Sequence, residues 1–240
     1  QMCIRDSFML SGFSLWHVYA QRMDSMALLR HFFVARFARI APLYILAVLF
    51  GVAARFYAQG VESVTSEAFL SRFALNVTML FGLHNPGKTS VVPGGWSIGI
   101  EWVYYMAFPL FVLFARSLKA MLWLLVGSMV LNQIIVNALV VDSTILEQYQ
   151  SYTNFPTFLV YFVGGMAVAA YYKQQPRAPR WCHPALCRLL PVAIIGAVFF
   201  SPSDSVEDYL TGPRFVLMVL GLMLALWVSL WMKTAGVERK

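Results

Sequence analysis

Residues 93–109 read Pro-Gly-Gly-Trp-Ser-Ile-Gly-Ile-Glu-Trp-Val-Tyr-Tyr-Met-Ala-Phe-Pro. Pro93, Gly94 and Gly95 interrupt what precedes them. From Trp96 to Ala115 the chain is almost continuously hydrophobic, with the carboxylate of Glu101 set inside the run. A helix crosses a bilayer with roughly 20 residues, so the stretch predicts a membrane span. Glu101 then lies about 8 Å from the helix start at 1.5 Å per residue. A carboxylate facing lipid there costs up to about 3 kcal/mol. It therefore faces a partner or a cavity. A structural hydrogen bond between helices and a functional role both satisfy that condition.

The rest of the chain reads the same way. Of 240 residues, 60% are hydrophobic and 12% charged, whereas soluble domains carry about 25% charged residues. Long apolar runs, rather than short alternating strands, argue for helices and against a barrel. The expected fold is all-α, a polytopic transmembrane helical bundle. Its expected spans are 8–20, 40–57, 95–115, 120–141, 155–172, 187–201 and 212–232, about seven in all.

Charges alternate between the connections. Arg22, Arg30, Arg36 and Arg39 crowd 21–39, Arg116 and Lys119 flank a tight turn, and Lys173, Arg177, Arg180 and Arg188 follow the fifth span. Between these, Glu62, Glu67, Asp142, Glu147, Asp204, Glu207 and Asp208 mark the other side. Basic loops stay in the cytoplasm, so the first span runs outside to inside and the C-terminal tail is cytoplasmic. The net charge of +7 follows from this topology and points to no nucleic-acid partner. Span 40–57 ends outside and span 95–115 begins there, so 67–83 should not cross. Arg72 and Asn76 within it agree, and it reads as a helix on the outer face.

Phe8–Ala20 makes only about 20 Å of helix against a hydrocarbon core of about 30 Å. Residues 1–7, Gln-Met-Cys-Ile-Arg-Asp-Ser, do not extend the span and read as a possible non-native junction. Residues 8–240 read as one membrane domain that begins partway through a helix. Cys182, His183 and Cys187 match no common zinc spacing. His17, His31 and His84 sit in no ligand pattern either, so no metal site is expected.

Four segments stand out as carriers of chemistry. Phe8-Met-Leu-Ser-Gly-Phe13 places small Ser11 and Gly12 where a helix, or a ligand's acyl chain, could approach closely. In Arg36-Phe-Ala-Arg39 a spacing of three puts two guanidinium groups on one helix face, a good clamp for phosphates and equally a topology signal. Pro42 fits near a helix start. In Trp96–Tyr105, Ser97, Tyr104 and Tyr105 stand three or four residues from Glu101. Trp96 and Trp102 give the stripe aromatic walls suited to a sugar. Phe155-Pro156 through Gly164-Gly165 reads as a span built for close packing or a kink.

Together these segments resemble the acyltransferase 3 family of membrane-bound O-acyltransferases. The first is similar to that family's Phe-Phe-x-x-Ser-Gly-Phe span. Arg36-Phe-Ala-Arg39-Ile-Ala-Pro-Leu-Tyr44 is similar to its Arg-x-x-Arg-Ile-x-Pro-x-Tyr entry into the membrane. Trp96 to Tyr105 is similar to its Trp-Ser-Leu-x-x-Glu-x-x-Phe-Tyr segment, and Pro156 to Gly165 to a later Pro-x-Phe…Gly span. Order and spacing agree from residue 8 to about 170.

The resemblance implies transfer of an acyl group, commonly acetyl, from cytosolic acyl-CoA (acetyl-CoA) to a hydroxyl of an extracytoplasmic carbohydrate, a surface glycan or lipid-linked sugar. The setting it implies is the inner membrane of a bacterium, in contact with membrane lipid and with no bound cofactor. Glu101 would be catalytic, orienting the acceptor or a base, and Arg36 and Arg39 would hold donor phosphates. Ser11, Trp96, Ser97, Tyr104 and Tyr105 would line the substrates. The family also places an Arg and an essential His on a span before Phe8, which no histidine of this chain matches. On that ground the chain is expected to be a fragment truncated at both ends and inactive alone. The alternative is a transporter or flippase using Glu101 as an intramembrane relay, but the paired broken helices common in transporters are not evident.

Overall fold

A computed structural model describes residues 2–23, 25–139, 152–175, 184–200 and 212–237. Among them there is helix and no strand. In chain order the helices are α1 Met2–Tyr19, α2 Met26–Gln59, α3 Glu62–Thr65, α4 Glu67–Val77, α5 Pro86–Thr89, α6 Trp96–Phe114, α7 Leu118–Leu139, α8 Phe155–Gln174, α9 Pro184–Phe200 and α10 Gly212–Val237. A 3-10 turn, Leu80–Leu83, lies between α4 and α5.

Among the described residues five helices are long and apolar enough to cross a membrane: Met26–Gln59, Trp96–Phe114, Leu118–Ala138, Phe155–Gln174 and Gly212–Trp231. That is fewer than the seven expected. Span 187–201 falls in α9, whose 17 residues make only about 25 Å. Span 8–20 forms the later part of α1, which starts at Met2 and takes in Arg5 and Asp6. Residues 2–7 thus continue the helix rather than precede it. α4, with 11 residues or about 16 Å of helix, is too short to cross, in line with the expectation that 67–83 does not span.

The largest departure from expectation is α2. Ser25 caps its start, its hydroxyl accepting the N–H of Leu28 at 3.3 Å, and the helix then runs unbroken for 34 residues to Gly60. Gly60, at φ 77°, occupies the left-handed conformation that glycine adopts without a steric penalty. The basic segment 26–39, read from its charges as a connection, is therefore helix. Pro42 sits inside that helix rather than near its start.

The chain divides into two compact units. Residues 1–21, 112–141 and 158–240 form the first. Its axis is α8, in which every residue from Pro156 to Ala169 is buried. A helix apolar on all sides is stable only when surrounded. α1 packs on it through glycines: a Cβ on Gly12 would stand 2.0 Å from the Phe162 carbonyl oxygen, and one on Gly165 would stand 1.9 Å from that of Met9. Phe8 lies 5.0 Å from Phe158, ring centre to ring centre. α9 and α10 pack together in the same unit.

Residues 22–111 and 142–157 form the second unit. A fully buried asparagine pins its connecting segment. Asn76 Oδ1 accepts from the Tyr44 hydroxyl at 2.6 Å and the Val91 N–H at 3.0 Å; its Nδ2 donates to the carbonyls of Arg72 at 2.7 Å and Thr89 at 2.8 Å. One side chain thus ties α2 and α4 to the strap that leads into Trp96. Asn76→Leu keeps the volume but removes all four bonds. Each buried group left unpaired costs about 1–3 kcal/mol, so a loss of about 4 kcal/mol is expected. Tyr44→Phe removes one bond and should cost about 1 kcal/mol. Thermal unfolding in detergent reads both; an Asn76→Leu melting point equal to that of the parent would show that the strap is held by other means.

Candidate active site in the second unit

α6 begins where Pro93–Gly95 stop the preceding turn, and it buries Trp96, Gly99, Ile100, Trp102, Val103, Tyr104, Tyr105 and Phe108. Glu101 is half-buried among them. The Tyr105 hydroxyl donates to Glu101 Oε1 in a short hydrogen bond. One helical turn separates the two, so the spacing of four that singled them out in the sequence is what brings them together.

Their surroundings come from α2. Phe32 stacks on Phe108 at 5.5 Å, Arg36 places its guanidinium carbon 5.6 Å from the Tyr105 ring centre, and Phe37 meets Trp102 edge-on at 5.8 Å. Further along, a Cβ on Gly95 would stand 3.1 Å from the Tyr44 ring. Higher residue numbers on α2 face lower ones on α6, so the helices run antiparallel. This register puts Arg36 beside Tyr105, not at the far end of the span from Glu101. The guanidinium also lies 5.8 Å from the Phe32 ring centre. Cation, phenol ring, phenol hydroxyl and carboxylate therefore form one series: Arg36, Tyr105, Glu101. A cation over an aromatic face within about 6 Å is attracted by the ring quadrupole. Arg39, one turn further on, is exposed.

The other expected site residues are not all gathered here. Tyr104 turns from Glu101 and donates a short hydrogen bond to the Phe155 carbonyl. Ser97 donates back to the Gly94 carbonyl at 3.3 Å. Trp96 is buried in the second unit, edge-on against Tyr152 at 5.9 Å. Ser11 belongs to the first unit, where its carbonyl accepts from Ser14 Oγ at 3.0 Å. The space beside its neighbour Gly12 is occupied by the Phe162 backbone.

No group of His, Cys, Asp and Glu among the described residues is placed to hold a metal. His17 stacks on Phe13 at 5.7 Å, and His31 and His84 are exposed. Cys182 and His183 lie outside the described residues. Sequence reasoning missed the Asn76 hub and the Arg36–Tyr105 contact. The signal for the second was the cap at Ser25 and the lack of any helix breaker between it and Arg36.

Residues 8–238 match the acyltransferase 3 family, described as an acyltransferase domain. The chain belongs to that family. The match runs through both units and covers all four segments that carried the resemblance. No curated protein and no solved structure matches the chain. Family membership and the five long apolar helices make this an integral membrane protein, and they support acyl transfer over the transporter reading.

Proposed function

We propose that the protein transfers an acyl group, commonly acetyl, from acyl-CoA to a hydroxyl of an extracytoplasmic carbohydrate, and that the Arg36–Tyr105–Glu101 series is where transfer occurs. The acceptor oxygen bonds to the thioester carbonyl carbon and the C–S bond breaks. The hydroxyl proton ends on the departing sulfur, so that coenzyme A leaves as the thiol. Glu101 accepts a hydrogen bond from the acceptor hydroxyl and raises the electron density on the attacking oxygen. Tyr105 holds the carboxylate in place. Arg36 lends positive charge where negative charge gathers on the former carbonyl oxygen; fixed charges of this kind act strongly in a water-poor site.

The observation that carries the proposal is the shared Tyr105. It joins the cation and the carboxylate that the sequence had assigned to separate substrates. In the proposed orientation the basic connections face the cytoplasm, the side from which acyl-CoA arrives. The donor's phosphates meet Arg39, which is exposed.

The two arginines then separate kinetically in the whole gene product. Arg39→Gln should raise KM for acyl-CoA about tenfold and leave kcat nearly unchanged, the mark of lost ground-state binding. Arg36→Gln should lower kcat, because it removes charge from the transfer step. Transfer of radiolabelled acetyl from acetyl-CoA to cell-envelope glycan in membrane vesicles measures both. Equal effects of the two substitutions would return the pair to a simple phosphate clamp. No effect of either would leave them as topology signals.

A further inference from the structure

The first unit contains a cavity of about 330 Å³ that takes no part in the Glu101 group. Its walls are helix ends and the turns beside them: Trp16 from α1 and Gln21 from the turn after it, Arg116 and Ser117 from the turn between α6 and α7, and Lys173 and Gln174 from α8. The remaining wall is small or apolar, and no carboxylate is among the residues lining it. Two cations, one from the α6–α7 turn and one from α8, therefore line one space with no acidic group in its lining.

The backbone adds to their field. Ser117 caps α7, its hydroxyl accepting the Ala120 N–H at 3.1 Å and its carbonyl the Met121 N–H at 2.9 Å. The positive end of a 22-residue helix thus opens at the cavity. Trp16, 8% exposed, forms an apolar wall beside the charges. Basic residues that merely set topology need only lie in cytoplasmic loops. These two, 57 positions apart in sequence, instead converge on an amphipathic hollow with amide and hydroxyl donors around it.

We infer that this cavity binds a phosphate group at the cytoplasmic end of the first unit. The volume lies near the lower limit of ligand pockets, about 300–1,000 Å³. It suits one phosphorylated headgroup or part of a nucleotide. The phosphate comes either from an anionic phospholipid, whose glycerol would lie against Trp16, or from a soluble phosphorylated nucleotide. Both present the same chemistry to Arg116 and Lys173.

Native mass spectrometry of the detergent-purified chain, incubated with equal phosphatidylglycerol and phosphatidylcholine, tests the inference. Adenosine 3′,5′-bisphosphate serves as the soluble probe in a second arm. Arg116→Gln and Lys173→Gln should each reduce retention of the bound phosphate compound about fivefold, the usual weight of one basic residue near an anionic surface. Lys119→Gln, an exposed cation three residues from Arg116 that does not line the cavity, should leave retention unchanged. Phosphatidylglycerol retained and not displaced by the bisphosphate identifies a lipid source. Bisphosphate bound, and lost in the same two variants, identifies a nucleotide source. Equal retention of the two lipids with no bisphosphate bound overturns the inference, as does an equal loss in Lys119→Gln. Unchanged melting points in the variants show that the fold is intact. Since the Glu101 group takes no part, acetyl transfer that fails its own tests leaves this result standing.

Discussion

Glu101→Gln should lower acetyl transfer by the whole gene product by about a hundredfold or more while leaving its insertion and melting point unchanged. The substitution is chosen for what it keeps. A glutamine oxygen still accepts from the Tyr105 hydroxyl, so the contact that joins one helical turn to the next survives. The charge alone is lost. If Glu101 is there only to satisfy Tyr105, glutamine serves as well and transfer is untouched. If the carboxylate activates the acceptor hydroxyl, loss of its charge carries the penalty usual for a positioned acid–base group, about 10²–10⁴ in rate. Tyr105→Phe provides the comparison. It leaves the ring under Arg36 and removes only the hydroxyl, so about a tenfold loss is expected from one hydrogen bond to a charged group. Labelled acetyl incorporation into glycan, against equal amounts of inserted protein, reads both. A fully active Glu101→Gln would remove Glu101 from the chemistry.

How far this site could be read in advance depended on whether its contacts were local. Glu101 and Tyr105 lie four apart on one helix, and that spacing alone placed the phenol near the carboxylate. Tyr104, three residues from Glu101, had the same claim, but the carbonyl of Phe155, 51 positions away, decided its direction. Sequence spacing is silent on partners at that distance. Arg36 was not brought beside Tyr105 for a different reason. Its neighbours Arg30, His31 and Arg39 made 21–39 look like a cytoplasmic loop, although charged residues are compatible with helix and only a breaker ends one. Once α2 begins at Met26, its antiparallel register with α6 carries Arg36 to Tyr105. Asn76 was noticed as a reason for its helix not to cross, but only the Arg72 carbonyl lies at helical spacing; its other three partners, on Tyr44, Thr89 and Val91, come from outside its helix. The small residues fared better. Gly12 and Gly165 were read as points of close approach, and both touch backbone.

That contact gives the second large effect: Gly165→Val should abolish recovery of folded protein. A Cβ at this position would stand 1.9 Å from the Met9 carbonyl oxygen and 2.8 Å from the Phe13 nitrogen. Both are backbone atoms of α1 and cannot swing aside as a flexible side chain would. The helices must separate by more than an ångström. Between membrane helices this is costly, because close van der Waals contact through small residues replaces the hydrophobic force that drives association in water. Separation would also expose the α1-facing side of a helix buried from Pro156 to Ala169. Overpacking in cores costs about 1–3 kcal/mol where neighbours can shift, and the backbone collision sets this site beyond that range. Gly12→Val, facing the Phe162 carbonyl oxygen at 2.0 Å, should do the same from the opposite helix. Gly127→Val is the control, since nothing lies within 4 Å of a Cβ there. It inserts the same residue into a long apolar helix without touching a neighbour. Size-exclusion chromatography of detergent extracts should give a monodisperse peak for Gly127→Val and aggregate for the other two. Monodisperse Gly165→Val with the parent's melting point would mean that α1 does not rest on α8 through this glycine.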